Sequence, residues 1–247
     1  MLNLLYQTRL AYLSEIDKTA KFISEEFTSG KQISEQILKT IIDLYESAKV
    51  EQSFKGESFE TAYHSPITGE LEFLIARILF HYSAINNKRW KIYLRRQESK
   101  TAPDIRLLKD NKAFAIIEVK AKAGWIQPFF SSDRYQHDKN RLTNGKSLFD
   151  PDSMIENSRN QLKKYFTTFE LTNNDIFLFL PTLALVHRKK YLTELPQYYS
   201  YFASTSGLPA ENLILLSNNM RHDLSYKTSD LHPTDNFEKL LTKLGEK

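Results

Sequence analysis

The segment PDIRLLKDNKAFAIIEVKAKAGW, residues 103–125, constrains the fold more than any other stretch of this sequence. Five apolar residues, Ala113 to Ile117, run directly into Glu118, and Lys120 follows one residue later. Such a run after turn residues reads as a buried strand, and Asp110-Asn111 before it are turn formers. Residues 103–109 and 113–120 therefore read as two strands of a hairpin. Positions i and i+2 of a strand share a face, so Glu118 and Lys120 project together. Asp104 depends on register. A loop from Asp110 to Lys112 pairs Lys109 with Ala113 and sets Asp104 opposite Glu118, with Cβ atoms about 5 Å apart. A loop one residue shorter pairs Asp104 with Ile117 and turns it to the other face. A shared site requires the odd-length loop or a bulge.

Two carboxylates that close repel each other unless a cation lies between them. Mg²⁺, a hard ion that takes one or two carboxylates and keeps several waters, is the natural candidate, with Mn²⁺ able to substitute. A lysine beside the ion can hold or deprotonate a water, or stabilise charge on a phosphate. Hydrolysis of a phosphodiester needs those parts. Acid-x-Lys occurs three times, at Glu98-Ser-Lys100, Asp110-Asn-Lys112 and Glu118-Val-Lys120, but only the third follows an apolar run. The competing reading is a surface hairpin whose strand leaves the core at Glu118.

The chain has 247 residues, enough for one domain or a domain with a helical extension. It contains no cysteine, which excludes disulfides, thiolate zinc sites and cysteine-ligated iron–sulfur clusters. No apolar run approaches ~18 residues and the N-terminus lacks a signal-peptide layout, so the expectation is a cytoplasmic protein without membrane contact. A net charge of +4 mildly favours a polyanionic partner.

Residues 1–64 read as an N-terminal helical extension. Ile33, Ile37, Leu38, Ile41, Ile42 and Tyr45 form an amphipathic stripe, and Ser29-Gly30 separates it from an earlier helical stretch carrying Ile16 and Phe22–Ile23. Packing or dimerisation is the role this implies. Residues 65–247 change texture. TGELEFLIARILFHYSAI is a strongly apolar helix with Thr68 as expected N-cap, and RWKIYLRRQ alternates as a strand. After the hairpin come a long polar loop at 121–151 and a helix from about Ser153 to Phe169, with Ser153 and Glu156 suited to a capping box. DIFLFLPTLALVHRK follows as buried strand, PQYYSYFASTSG as a helix ended by Gly207, NLILLS as a short strand, and a small amphipathic helix closes the chain. The expected fold class is α/β, a mixed central sheet flanked by helices.

Pro103-Asp104 followed by Glu118-Val119-Lys120 resembles the signature of the PD-(D/E)XK nuclease superfamily, and the element order over residues 65–217 is similar to its common core. The resemblance implies a restriction-endonuclease-like fold and a metal-dependent DNA endonuclease, most simply of type II restriction character. A structure-selective or single-strand nuclease of the RecB or resolvase type is the alternative, as is an inactive nucleic-acid-binding module of the same fold. It implies Asp104, Glu118 and the Val119 carbonyl as metal ligands, Lys120 as the residue that positions the water, and a homodimer acting on DNA. Family members often add an acid from the preceding helix. Glu72 lies among Ile75, Ala76 and Leu79 and needs a partner there. Glu70 is the rival, though the helix dipole suffices to explain it.

Gln161 and Tyr165, four apart on one helix face, resemble the Q-x-x-x-Y element of RecB-like nucleases, which implies that they orient Lys120 or contact the substrate. The same residues also fit an ordinary amphipathic helix with Leu162, Tyr165, Phe166 and Phe169 inward. In the loop, Lys122, Arg134, Lys139, Arg141 and Lys146 are interleaved with Trp125, Phe129, Phe130 and Tyr135, a composition suited to phosphate contacts and base stacking. Phe129 and Phe130 suit equally the loop's own anchoring, and His137-Asp138 reads as solvated.

Overall fold

The computed structural model describes residues 2–48, 67–119, 151–180, 207–217 and 232–247. Among them, helices α1 (Leu2–Thr28), α2 (Ser34–Ser47) and α3 (Thr68–Ile85) precede strands β1 (Lys91–Leu94), β2 (Ile105–Lys109) and β3 (Lys112–Val119). Helix α4 (Pro151–Phe169), strands β4 (Ile176–Leu180) and β5 (Leu213–Leu215) and helix α5 (Asn236–Glu246) complete the order. The strands form one five-stranded sheet in the order β1-β2-β3-β4-β5. The first three run antiparallel, and β4 and β5 continue parallel to β3. The fold class is α/β, with a mixed sheet flanked by helices.

Each face of the sheet buries a different set of residues. Ile105, Leu107, Ala115, Ile117, Val119, Phe177 and Phe179 pack in one cluster with side chains of α1, α2, α3 and α5. Ile116, Ile176, Leu178 and Leu180 pack on the other face with Leu162, Tyr165 and Phe169 of α4. The N-terminal helices thus share the sheet's own core. Ser24 of α1 donates to the Ile78 carbonyl of α3, and Asp17 accepts from both Arg77 and His81. Among the described residues no helix is long and apolar enough to cross a membrane.

Helix starts differ from the sequence expectation. Thr68 is the first helical residue of α3, so Ile67 takes the N-cap position and no side chain caps it. Helix α4 begins at Pro151, which puts Ser153 inside the helix. Proline suits a first helical turn because its missing N–H needs no partner there. Helix α2 also lacks a local cap. Its N-terminus is satisfied from far away: Glu238 of α5 accepts from the Ile33 and Ser34 amides, each at 2.8 Å, and from the Ser34 hydroxyl. A carboxylate there also meets the positive end of the helix dipole.

The β2–β3 hairpin positions the site. Its turn is the two-residue Asp110-Asn111, with φ of 51° and 64°, the left-handed pair that matches strand twist. Lys109 faces Lys112 and Leu108 faces Ala113, the short-loop register. Between Leu107 and Leu108 the register shifts: Leu107 faces Ala115, and Ile105 faces Ile117. Phe114 is the extra residue of a β-bulge. Ala113 packs toward α4, whereas Phe114 and Ala115 both join the opposite cluster. The Phe114 ring lies 5.4 Å from Trp90, and its carbonyl accepts from Lys247 at 3.3 Å.

Burial pushes the partly buried Tyr45 phenol up to about 12 from its ordinary 10.0, and it raises Tyr82 and Tyr165 too. These phenols lose protons near pH 10 in the unfolded chain but keep them when folded. The Tyr45 contribution is therefore whole below about pH 10 and lost as pH rises through about 12, and those of Tyr82 and Tyr165 fade in the same alkaline direction. Denaturant midpoints should fall across that window, and Tyr45→Phe should flatten the decline. A midpoint level to about pH 12 would contradict the burial of these groups.

Candidate active site on the α4 face of the sheet

The bulge puts Glu118 on the α4 face, one step beyond the Ile105–Ile117 pair and opposite Asp104. The two acids clip the strand ends together. The Val119 N–H donates to the Asp104 carboxylate at 2.9 Å, and the Asp104 N–H donates to Glu118 Oε1 at 3.3 Å. Asp104 is partly buried, and Glu118 is only 6% exposed.

A carboxylate this buried needs donors, and α4 supplies them. The Tyr165 hydroxyl donates to Glu118 Oε1 at 2.6 Å, and Gln161 Nε2 reaches Glu118 Oε2 at 3.3 Å and the Tyr165 oxygen at 2.5 Å. Tyr165 is 1% exposed. Burial first, then the neighbouring Glu118 charge, raises its pKa, so the phenol stays a donor. The two readings of this helix are therefore compatible: Leu162, Tyr165 and Phe169 pack inward, and the Tyr165 hydroxyl still reaches the acid. The Tyr165 ring is covered, so its hydroxyl is the part directed at the acid.

Glu72 is buried at 1% exposure, and its partner is Arg95, whose Nε and Nη2 both meet its carboxylate, the latter at 2.6 Å. Arg95 follows β1 with a φ of 48° and donates its own N–H to the Asp104 carbonyl at 2.9 Å. Its guanidinium pKa is raised, chiefly by the bond to Glu72 and also by the Asp104 charge. Glu72 thus connects to the hairpin through a cation. Glu70 pairs instead with Arg9 at 2.8 Å.

Asp104, Glu118, Gln161, Tyr165 and, through Arg95, Glu72 are brought together. Lys120, Lys122, Arg134, Lys139, Arg141 and Lys146 lie outside the described residues. Arg95 and Arg106 were missed by sequence reading. Arg106, two residues from Asp104, has a side chain 3% exposed and paired with Glu98 at 2.6 Å. It stacks 4.4 Å from the Phe169 ring centroid. The i+2 spacing from Asp104 was the available signal.

Among the described residues no group of three or more His, Cys, Asp or Glu side chains could hold a metal. The donor set here is two opposed carboxylates. That is too few for a Ca²⁺ cage but sufficient for Mg²⁺, which keeps most of its waters. No protein-family model matches the sequence, and no curated protein or solved structure matches it either.

Two substitutions test this geometry by stability. Tyr165→Phe removes a hydroxyl donor from a buried carboxylate and should cost about 1.5–3 kcal/mol. Arg95→Ala strands the Glu72 carboxylate and should cost about 1–3 kcal/mol, whereas Arg9→Ala, at an exposed pair, should cost about 0–1 kcal/mol. Urea unfolding checks both. Equal small effects at Arg95 and Arg9 would contradict the dependence of the buried Glu72 carboxylate on Arg95.

Proposed function

We propose that the protein is a metal-dependent endodeoxyribonuclease of the PD-(D/E)XK type, of type II restriction character, on a restriction-endonuclease-like fold. The observation that carries this reading is the bulged register. It opposes Asp104 to Glu118 on one face, and Glu118 meets both Gln161 and Tyr165.

In this reading Asp104, Glu118 and the Val119 carbonyl hold Mg²⁺ or Mn²⁺. When bound, the ion supplies Lewis-acid polarisation and charge neutralisation at the phosphate. The chain's own residues do the rest. Tyr165 and Gln161 fix the rotamer of Glu118, and the Val119 N–H fixes Asp104. Lys120 holds and deprotonates the attacking water, or stabilises charge at the scissile phosphate. Glu72 acts through Arg95, since the guanidinium already occupies its carboxylate. Lys122, Arg134, Lys139, Arg141 and Lys146 contact DNA phosphates, which orient a duplex without reading it. A homodimer suits cutting of two antiparallel strands. Leu4, Leu5, Tyr6 and Leu10 are exposed apolar residues at the start of α1 and offer surface for that pairing.

The Gln161–Tyr165 pair on Glu118 favours a second reading, a structure-selective or single-strand nuclease of RecB type. The purified chain should cut plasmid DNA with Mg²⁺ and lose activity in EDTA, and Asp104→Asn or Glu118→Gln should abolish cutting. Lys120→Ala should slow turnover by roughly 10² or more. Discrete bands support the restriction reading, and cutting confined to single strands or branched DNA supports the second. DNA binding without cleavage in any divalent metal would leave an inactive binding module of this fold.

A further inference from the structure

A cleft of about 730 Å³ opens between the turn before β2 and the outer side of α4. Lys100, Thr101, Asn160, Lys163, Lys164 and Thr167 line it, and no acidic residue among the described ones does. None of its three lysines pairs with a described carboxylate. Three ammonium groups without a carboxylate partner among the described residues, around one hollow, make a site for a polyanion.

The turn that carries Lys100 is built rather than loose. Glu98 and Thr101 exchange both backbone hydrogen bonds at 2.8 Å. Ser99 and Lys100 between them have φ of 49° and 64°, a left-handed pair usually given to Asn-Gly. Arg106 holds the turn to α4, with Nη1 on Glu98 and its guanidinium over Phe169. Its Nε and Nη2 are buried without a hydrogen-bond partner among the described residues. Its positive charge thus lies between the two elements that form the cleft, against a Glu98 side chain 55% exposed.

We propose that this cleft binds the phosphodiester backbone of a nucleic-acid strand, with phosphates on Lys100, Lys163 and Lys164, and delivers the strand to Glu118. Gln161 and Tyr165 line the cleft and also bond Glu118, so cleft and acid share a wall. The cleft reads no base. Its one aromatic among the described residues, Tyr165, is 1% exposed and offers no stacking face. The proposal deepens the nuclease reading and rests on it for the strand's destination, but the binding is measurable without turnover.

The test is fluorescence anisotropy of the full chain in EDTA, with a labelled duplex and its single strand in two unrelated sequences, over about 50–200 mM salt. Each of Lys100→Gln, Lys163→Gln and Lys164→Gln should weaken binding equally on both sequences. Each should lower the salt slope by about 0.9 on duplex or about 0.7 on single strand, whichever form the cleft takes. Lys39→Gln on α2 should change neither, and melting temperatures should match the parent. A triple variant that keeps parent affinity and slope on both forms would overturn the proposal. So would a loss confined to one sequence, or a parent chain that binds neither form. Lysine-dependent binding by a chain that never cuts upholds the cleft and sinks the nuclease reading. Mg²⁺-dependent cutting with unchanged binding in the triple variant does the reverse.

Discussion

One extra residue in β3 decides what the α4 face of the sheet can do. With the turn at Asp110-Asn111 and no bulge, strand alternation would carry Glu118 to the opposite face, toward α1, α2, α3 and α5, and would turn Ile117 and Val119 out of that core. Phe114 absorbs the mismatch. The bulge is held on both sides, by the Trp90 ring against its side chain and by Lys247 on its carbonyl. A bulge that re-aims a side chain is a common device beside active sites. Here it turns two acids, separated by a hairpin, to one face.

The faces then diverge in chemistry. Toward α1, α2, α3 and α5 the strands present apolar side chains that pack as a conventional core. Toward α4 the same strands present Asp104, Arg106 and Glu118 at the rim of a smaller apolar cluster. Each buried charge there meets a specific partner: Glu118 meets Tyr165 and Gln161, and Arg106 meets Glu98. Partners of this kind keep a buried ion tolerable, and removing one costs more than a surface pair would. Helix α4 is thus bound to the sheet by the groups that shape the site, so site geometry and the docking of that helix are coupled.

The hairpin was legible in the sequence because apolar runs, turn formers and period-two alternation are local signals. The alternative of short loop plus bulge was also readable, but the choice was not. Nothing within residues 103–120 announces that Trp90 and Lys247 will hold Phe114. The same distance hid the Arg95 partner of Glu72 and the Glu238 cap of α2. The cap errors at Thr68 and Ser153 are of another kind, since a cap-competent residue in the first turn looks the same whether it caps or not. No local signal groups Lys100 with Lys163 and Lys164, because the turn from Glu98 to Thr101 and the face of α4 meet only in the folded chain.

The proposed nuclease requires the bulged hairpin to make one divalent-cation site from Asp104 and Glu118. Titration of the full chain with Mn²⁺, followed by electron paramagnetic resonance of the free ion and by calorimetry, tests it most directly. Mn²⁺ should bind, Mg²⁺ should compete it away, Asp104→Asn and Glu118→Gln should each remove the binding, and Glu72→Gln should retain it in a chain still folded by circular dichroism. Undiminished Mn²⁺ binding in both Asp104→Asn and Glu118→Gln, or none in the parent, would contradict it.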